Sequence, residues 1–152
     1  MASLTTIDDF LAQRDLAFVG VSRDTKAFAN SVYRALRGAG HAMHPVHPTA
    51  TEVEGDAAVA RLTHLPKAVG GVVVMVRPDD AAGVVREAIA AGIPRIWLHR
   101  GAGKGADTPE AVELCHAHGI PVVDGACPMM FLQPVKGVHR LHRAFARRRI
   151  AA

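Results

Sequence analysis

The chain has 152 residues, about half of them apolar and a fifth charged, which suits one soluble globular domain with a core of its own. No apolar stretch approaches the roughly 20 residues that span a bilayer, and two cysteines cannot build a disulfide framework. The net charge of +4 is misleading, because Lys136 to Ala152 holds six basic residues and no acid, leaving twelve basic against fourteen acidic residues in the body.

The opening "MASLTTIDDFLAQRD" carries acids and lacks the basic-then-apolar pattern of a secretory signal. It is read as a helical extension, and the cytoplasm is the expected compartment. "LAFVGV" (16–21) is the first strand. It exits through Gly20-Val21-Ser22, and Arg23 and Lys26 follow before a helical pattern over 27–39. That helix should end at Gly40, a left-handed C-cap, and a second strand should start near 42 and finish in "HPVHP".

The stretch 49–69 fits a short edge strand and a helical turn. "GGVVVMV" (70–76) has the β-branched richness of a central strand. A helix over 79–91 ends at Gly92, and Pro94 blocks its continuation ahead of a strand near 95. The loop "RGAGKGAD" follows His99; it reads equally well as a ligand cover and as a plain surface loop. A helix over 108–118 then ends at Gly119, and Pro121 leads into the last strand. Cys115 falls within an apolar helical pattern, and Cys127, just past the last strand, is read as a small buried residue with no cation to activate it. In the tail, Val138, Leu141 and Phe145 form one stripe of a basic helix over about 137–150, read as docked by that stripe with its charges solvated.

Strands about 25 residues apart leave room for a helix in every crossover, as parallel pairing requires. The pattern therefore specifies one α/β domain, doubly wound, with a mostly parallel sheet of five or six strands and helices on both faces. Ligands of such folds sit at the carboxyl ends of the strands. There Gly20 would permit close backbone approach, Ser22 offers a hydroxyl, and the helix beginning near Ala27 aims free N–H groups at the same spot. With Arg23 and Lys26, this turn suits an anionic group, most plausibly phosphate.

A nicotinamide dinucleotide site would want G-x-G-x-x-G here, and the chain reads G-V-S-R-D-T. The acid expected at the end of the second strand is replaced by His47-Pro48, which tolerates a phosphate near the adenosine ribose better than a carboxylate would. NAD is disfavoured on this reading, while coenzyme A and NADP stay open. Histidines at 41, 44 and 47 lie on a strand that alternates faces, and His116 and His118 do not share a helix face, so no metal site is expected.

"FVGVSRDTKAFANSVYRALRGAGHAMHPVHP", with "VVVMVRPDDAAGVVREAIAAGIPRIWLHRGAG" and "VVDGACPMMF", resembles the small bacterial and archaeal CoA-binding domain family. That family is similar to the nucleotide-binding domain of the succinyl-CoA synthetase α subunit, and the resemblance covers residues 10 to 131. It implies a Rossmann-like fold that binds coenzyme A, or an acyl-CoA, across the strand ends. Gly20, Val21 and Ser22 would meet the pyrophosphate, with Arg23 nearby and Lys26 paired with a phosphate. His47-Pro48 stands where the family usually has Asn-Pro. Arg77-Pro78 would line the cleft, and Trp97 falls in the family's strand before a glycine-rich loop.

No nucleophile, base and orienting acid assemble in the sequence, so binding without catalysis is the leading expectation. An NADP-dependent reductase is the alternative, lacking an assignable proton donor. Nucleic-acid binding through the basic tail is less favoured. A homodimer is left open.

Overall fold

The computed structural model describes residues 2–132, so the expected tail helix lies outside the described residues. The described chain begins with α1 (Leu4–Leu11), capped by Ser3, whose hydroxyl accepts from the Thr6 N–H. It continues through β1 (Asp15–Val19), α2 (Phe28–Gly38) and β2 (Ala42–Val46). A short antiparallel hairpin, β3 (Glu52–Val53) and β4 (Asp56–Ala57), and a 3₁₀ turn at Leu62–His64 then lead to β5 (Gly71–Val74). The rest is α3 (Pro78–Ala90), β6 (Ile96–His99), α4 (Pro109–Ala117), β7 (Val122–Ala126) and a second 3₁₀ turn at Pro128–Met130.

Five strands form one parallel sheet in the order β2-β1-β5-β6-β7. This is the doubly wound arrangement the spacing predicts, and the order reverses between β1 and β5. The stretch 49–69 adds the hairpin and the 3₁₀ turn, and only a single bridge, Val46 to Val59, ties it to the sheet edge. The first strand is shorter than expected: it stops at Val19, so Gly20 and Val21 belong to the following loop. Gly40, Gly92 and Gly119 all take the positive φ of a helix C-cap, which explains why the three αβ junctions share one sequence grammar.

Alternation along the strands sorts the core into two layers. Leu16, Phe18, Val73, Trp97 and Val123 pack against Ile7 and Phe10 of α1 and Val32, Tyr33 and Leu36 of α2. On the other face, Ala17, Val72, Val74, Ile96 and Leu98 meet Ala81, Val85 and Ala88 of α3 and Ala111 and Cys115 of α4. Burial on both faces is why these strands read as continuous apolar runs. No helix among the described residues is long and apolar enough to cross a membrane.

Candidate functional site

The reversal of strand order places the β1–α2 loop and the β5–α3 connection side by side at the carboxyl edge of the sheet. Gly20 lies at their closest approach. Its φ is +110°, and a Cβ built there would fall 2.0 Å from the Met75 carbonyl oxygen. Gly20 thus makes a close backbone approach to the neighbouring strand exit, which the sequence reading had not foreseen. Val21 turns its side chain into the core, so only its backbone faces the loop.

The loop from Ser22 to Ala27 is folded by its own side chains. The Ser22 hydroxyl accepts from the Asp24 N–H at 3.0 Å, and the Asp24 carboxylate accepts from the Lys26 N–H at 3.0 Å. Asn30, one turn into α2 and wholly buried, clamps this loop from below. Its Oδ1 accepts the Ser22 N–H at 2.8 Å, while its Nδ2 donates to the Ser22 carbonyl at 2.7 Å and to Glu54 Oε1 at 2.9 Å. Arg34 joins the same Glu54 oxygen at 2.7 Å and reaches the Thr25 carbonyl at 3.1 Å. Arg37 holds the Glu54 carbonyl at 2.6 Å and Asp56 at 3.0 Å, and Tyr33 donates to Asp56. Burial, with Asp56 alongside, pushes the Tyr33 phenol far above its ordinary pKa, so it stays a donor. The face Asn30, Tyr33, Arg34 and Arg37 thus ties the hairpin to the loop at helical spacing. The sequence reading missed Asn30 and Glu54. The available signals were the 3-4-7 polar stripe on α2 and the Glu54-Gly55 pair, whose φ values of 54° and 81° make a tight hairpin turn.

What the loop leaves open is positive. Ala27 caps α2 without a side-chain hydrogen bond, and no acid lies in the first turn. Among the described residues, the N–H groups of Phe28 and Ala29 have no acceptor. Arg23 and Lys26 are exposed, with no carboxylate in ion-pair reach among the described residues. Such a helix end attracts an anion through its aligned N–H dipoles. The Ser22 N–H and the lone pair bonded to Asp24 are committed, which leaves the Ser22 hydroxyl proton free to donate.

At the end of β2, His47 Nδ1 accepts from the N–H groups of Thr49 and Ala50, at 3.1 and 2.9 Å. This is the turn-closing bond an asparagine oxygen makes, so the ring replaces Asn without losing the turn. The proton then sits on Nε2, a remaining donor. Pro48 is exposed beside it. Arg77 caps α3 after β5, with Pro78 at the first helical position, and its exposed guanidinium reaches Asp80 at 3.3 Å.

Trp97 is placed differently from expectation. Its side chain is fully buried, with Phe10 edge-on at 5.3 Å between centroids, Phe131 at 6.1 Å, and Nε1–H donating to the Ala126 carbonyl at 3.0 Å. A side chain enclosed in this way anchors the sheet and touches no ligand. The residue two positions on, His99, reaches the strand-end edge instead. It is only 9% exposed, its Nε2 has no hydrogen-bond partner among the described residues, and its ring lies 6.0 Å from that of Phe28. Burial lowers its pKa, partly opposed by Asp107, so the imidazole is neutral near pH 7.

Other candidates resolve into structure. His41 bonds the Gln13 carbonyl at 2.7 Å, and His44 bonds Asp15 at 2.9 Å. Among the described residues no three His, Cys, Asp or Glu side chains gather as a metal site would need. Cys115 and Cys127 are buried free thiols, both pushed up to about 11 by burial. A groove of about 340 Å³ lies at the opposite, amino edge, between the 3₁₀ turn at Leu62–His64 and the end of α3. Its one charged lining residue, Lys67, is spent on Asp15 at 3.1 Å. The groove offers no free charged side chain to an anion, whereas the carboxyl edge has open donors beside Arg23 and Lys26.

Comparisons with known proteins agree on the family and the fold. The Bacillus subtilis protein YneT is 29% identical over 112 residues, covering 74% of this chain and 80% of its own. A conserved hypothetical protein from Pyrococcus furiosus matches with a TM-score of 0.68 at 29% identity, over 75% of this chain and 95% of that one. The dinucleotide forming acetyl-coenzyme A synthetase 1 of Ca. Korarchaeum cryptofilum, in complex with phosphate and ADP, matches with a TM-score of 0.64 at 26% identity. That match covers 74% of this chain and 25% of the synthetase. The profile of the CoA binding domain spans residues 14–133, and with it the β1–α2 loop, the sheet and its strand-end edge, so the chain belongs to the CoA binding domain family.

Proposed function

We propose that this protein binds coenzyme A, free or acylated, at the carboxyl edge of its sheet and catalyses no reaction of its own. The observation that carries the proposal is the uncapped N-terminus of α2, where among the described residues the N–H groups of Phe28 and Ala29 are unbonded and Arg23 and Lys26 unpaired. A diphosphate there would receive backbone and ammonium donors together. The Nε2–H of His47, at the end of β2, is a donor suited to the phosphate on the adenosine ribose. Arg77 and Pro78, at the end of β5, would line the ligand from that side. Family membership and the likeness to an acetyl-coenzyme A synthetase support the same ligand.

Titration calorimetry with coenzyme A, acetyl-CoA, NAD and NADP tests this. The expected order places coenzyme A or acetyl-CoA tightest. Tighter binding of NADP, with oxidation of NADPH as a carbonyl substrate is reduced to its alcohol, would install the reductase reading instead. No heat with millimolar coenzyme A would remove the proposal. Lys26→Ala should weaken coenzyme A about tenfold, the ~1.4 kcal/mol lower end of a charge-assisted hydrogen bond, because the side chain is exposed and screened.

A further inference from the structure

We infer that His99 and Phe28 form the seat of the pantetheine arm, with the imidazole Nε2 as its one buried polar contact. This inference rests on the coenzyme reading above and goes beyond it by assigning the second half of the ligand to two residues of this chain. Four observations support it. His99 Nε2 is a buried polar atom without a partner among the described residues, and such atoms are rare in folded proteins because burial strips their water. Phe28 is the one large apolar side chain exposed among the described residues, at 53%. The two rings lie 6.0 Å apart, and Phe28 is the first residue of the helix whose free N–H groups suit the diphosphate. Gly101 packs beside the ring: a Cβ there would stand 3.4 Å from His99 Cε1 and 4.0 Å from Nε2, and glycine leaves that space open.

The pantetheine arm leaves the diphosphate through a gem-dimethyl group, a hydroxyl and two amides. An exposed phenyl ring suits the methyl groups. A neutral imidazole in a dry place suits an amide or hydroxyl, since it can pair with either a donor or an acceptor according to its tautomer. Phe28 and Gly101 lie beside the His99 ring, and the segment that carries Gly101 is bounded by two backbone bonds, Arg100 N–H to the Ala126 carbonyl and Ala106 N–H to the His99 carbonyl.

The test compares coenzyme A with adenosine 3′,5′-bisphosphate, which lacks the arm, by calorimetry on the full chain. His99→Phe should weaken coenzyme A at least fivefold and leave the bisphosphate within twofold of its original affinity. His99→Gln, which keeps an amide donor and acceptor, should hold coenzyme A within about twofold. Phe28→Ala should weaken coenzyme A several-fold with the bisphosphate again unchanged. Equal coenzyme A affinity in His99→Phe and the parent would overturn the inference, as would parallel loss of both ligands in a variant whose melting temperature is unchanged. If the parent binds neither ligand, the coenzyme reading itself has failed; if it binds both and His99→Phe changes neither, only the arm assignment has.

Discussion

Replacing Asn30 tests how the β1–α2 loop is held. The Asn30 side chain makes three hydrogen bonds, two to the Ser22 backbone and one to Glu54. A neutral pair contributes about 0.5–1.5 kcal/mol and one to a charged partner about 1.5–3 kcal/mol. Glu54 keeps Arg34, and water can reach the part-buried Ser22, so the full sum is not lost. Asn30→Ala should therefore cost about 2–4 kcal/mol, a large fraction of the roughly 5–15 kcal/mol that holds a domain together. Asn30→Asp is nearly isosteric and sharper: at pH 7 its second oxygen would face the Ser22 carbonyl and the Glu54 carboxylate, acceptor against acceptor. It should be no more stable than the alanine variant at pH 7, and should recover as acid protonates one of the two carboxylates. Urea unfolding, followed by fluorescence of the single buried Trp97, reads both. A loss under 1 kcal/mol in Asn30→Ala, or parental stability of Asn30→Asp at pH 7, would refute the clamp.

Gly20→Ala and Gly40→Ala both force a side chain into positive φ, but a Cβ at Gly40 meets open space and one at Gly20 meets the Met75 carbonyl. Urea unfolding should show Gly20→Ala the costlier by at least about 1–3 kcal/mol, the usual cost of overpacking, and equal losses would mean the two strand exits are not locked together. Both cysteines, buried with thiols raised to about 11, should resist iodoacetamide in the native state at pH 7.5 and react once unfolded. Rapid native alkylation followed by mass spectrometry would contradict their burial. His99 has a folded pKa below its unfolded value near 6.5, so between those two values the unfolded chain holds more protons and stability falls as pH falls. His99→Gln should flatten the pH dependence of the melting temperature from pH 7 to 5; an unchanged slope would mean the imidazole is solvated.

The sheet was legible because its signals are local and repeated. The junctions after α2, α3 and α4 each carry a glycine at positive φ just past the helix, and the central strands β5 and β6, buried on both faces, are short apolar runs. The exposed bases beside the start of α2 were legible, because Arg23, Lys26 and Ala27 are adjacent in sequence. Contacts between distant residues were not. Asn30 and Glu54 are 24 positions apart, and nothing in either local pattern announces that they meet. The packing of Gly20 against Met75 was not foreseen, because Met75 arrives from another strand. Trp97 looked like a site residue because its motif borders a loop, yet alternation along β6 turns it inward with Phe10, and it is His99, at the strand's end, that reaches the edge.

The central claim is that the coenzyme lies across the start of α2. Amide chemical shifts recorded during titration with coenzyme A test it most directly. The account predicts that the largest changes fall on residues 20–29, with Phe28 and Ala29 foremost, and extend to His99 and Gly101. Changes concentrated instead on the groove between Leu62 and Ile93, with the α2 start silent, would contradict it.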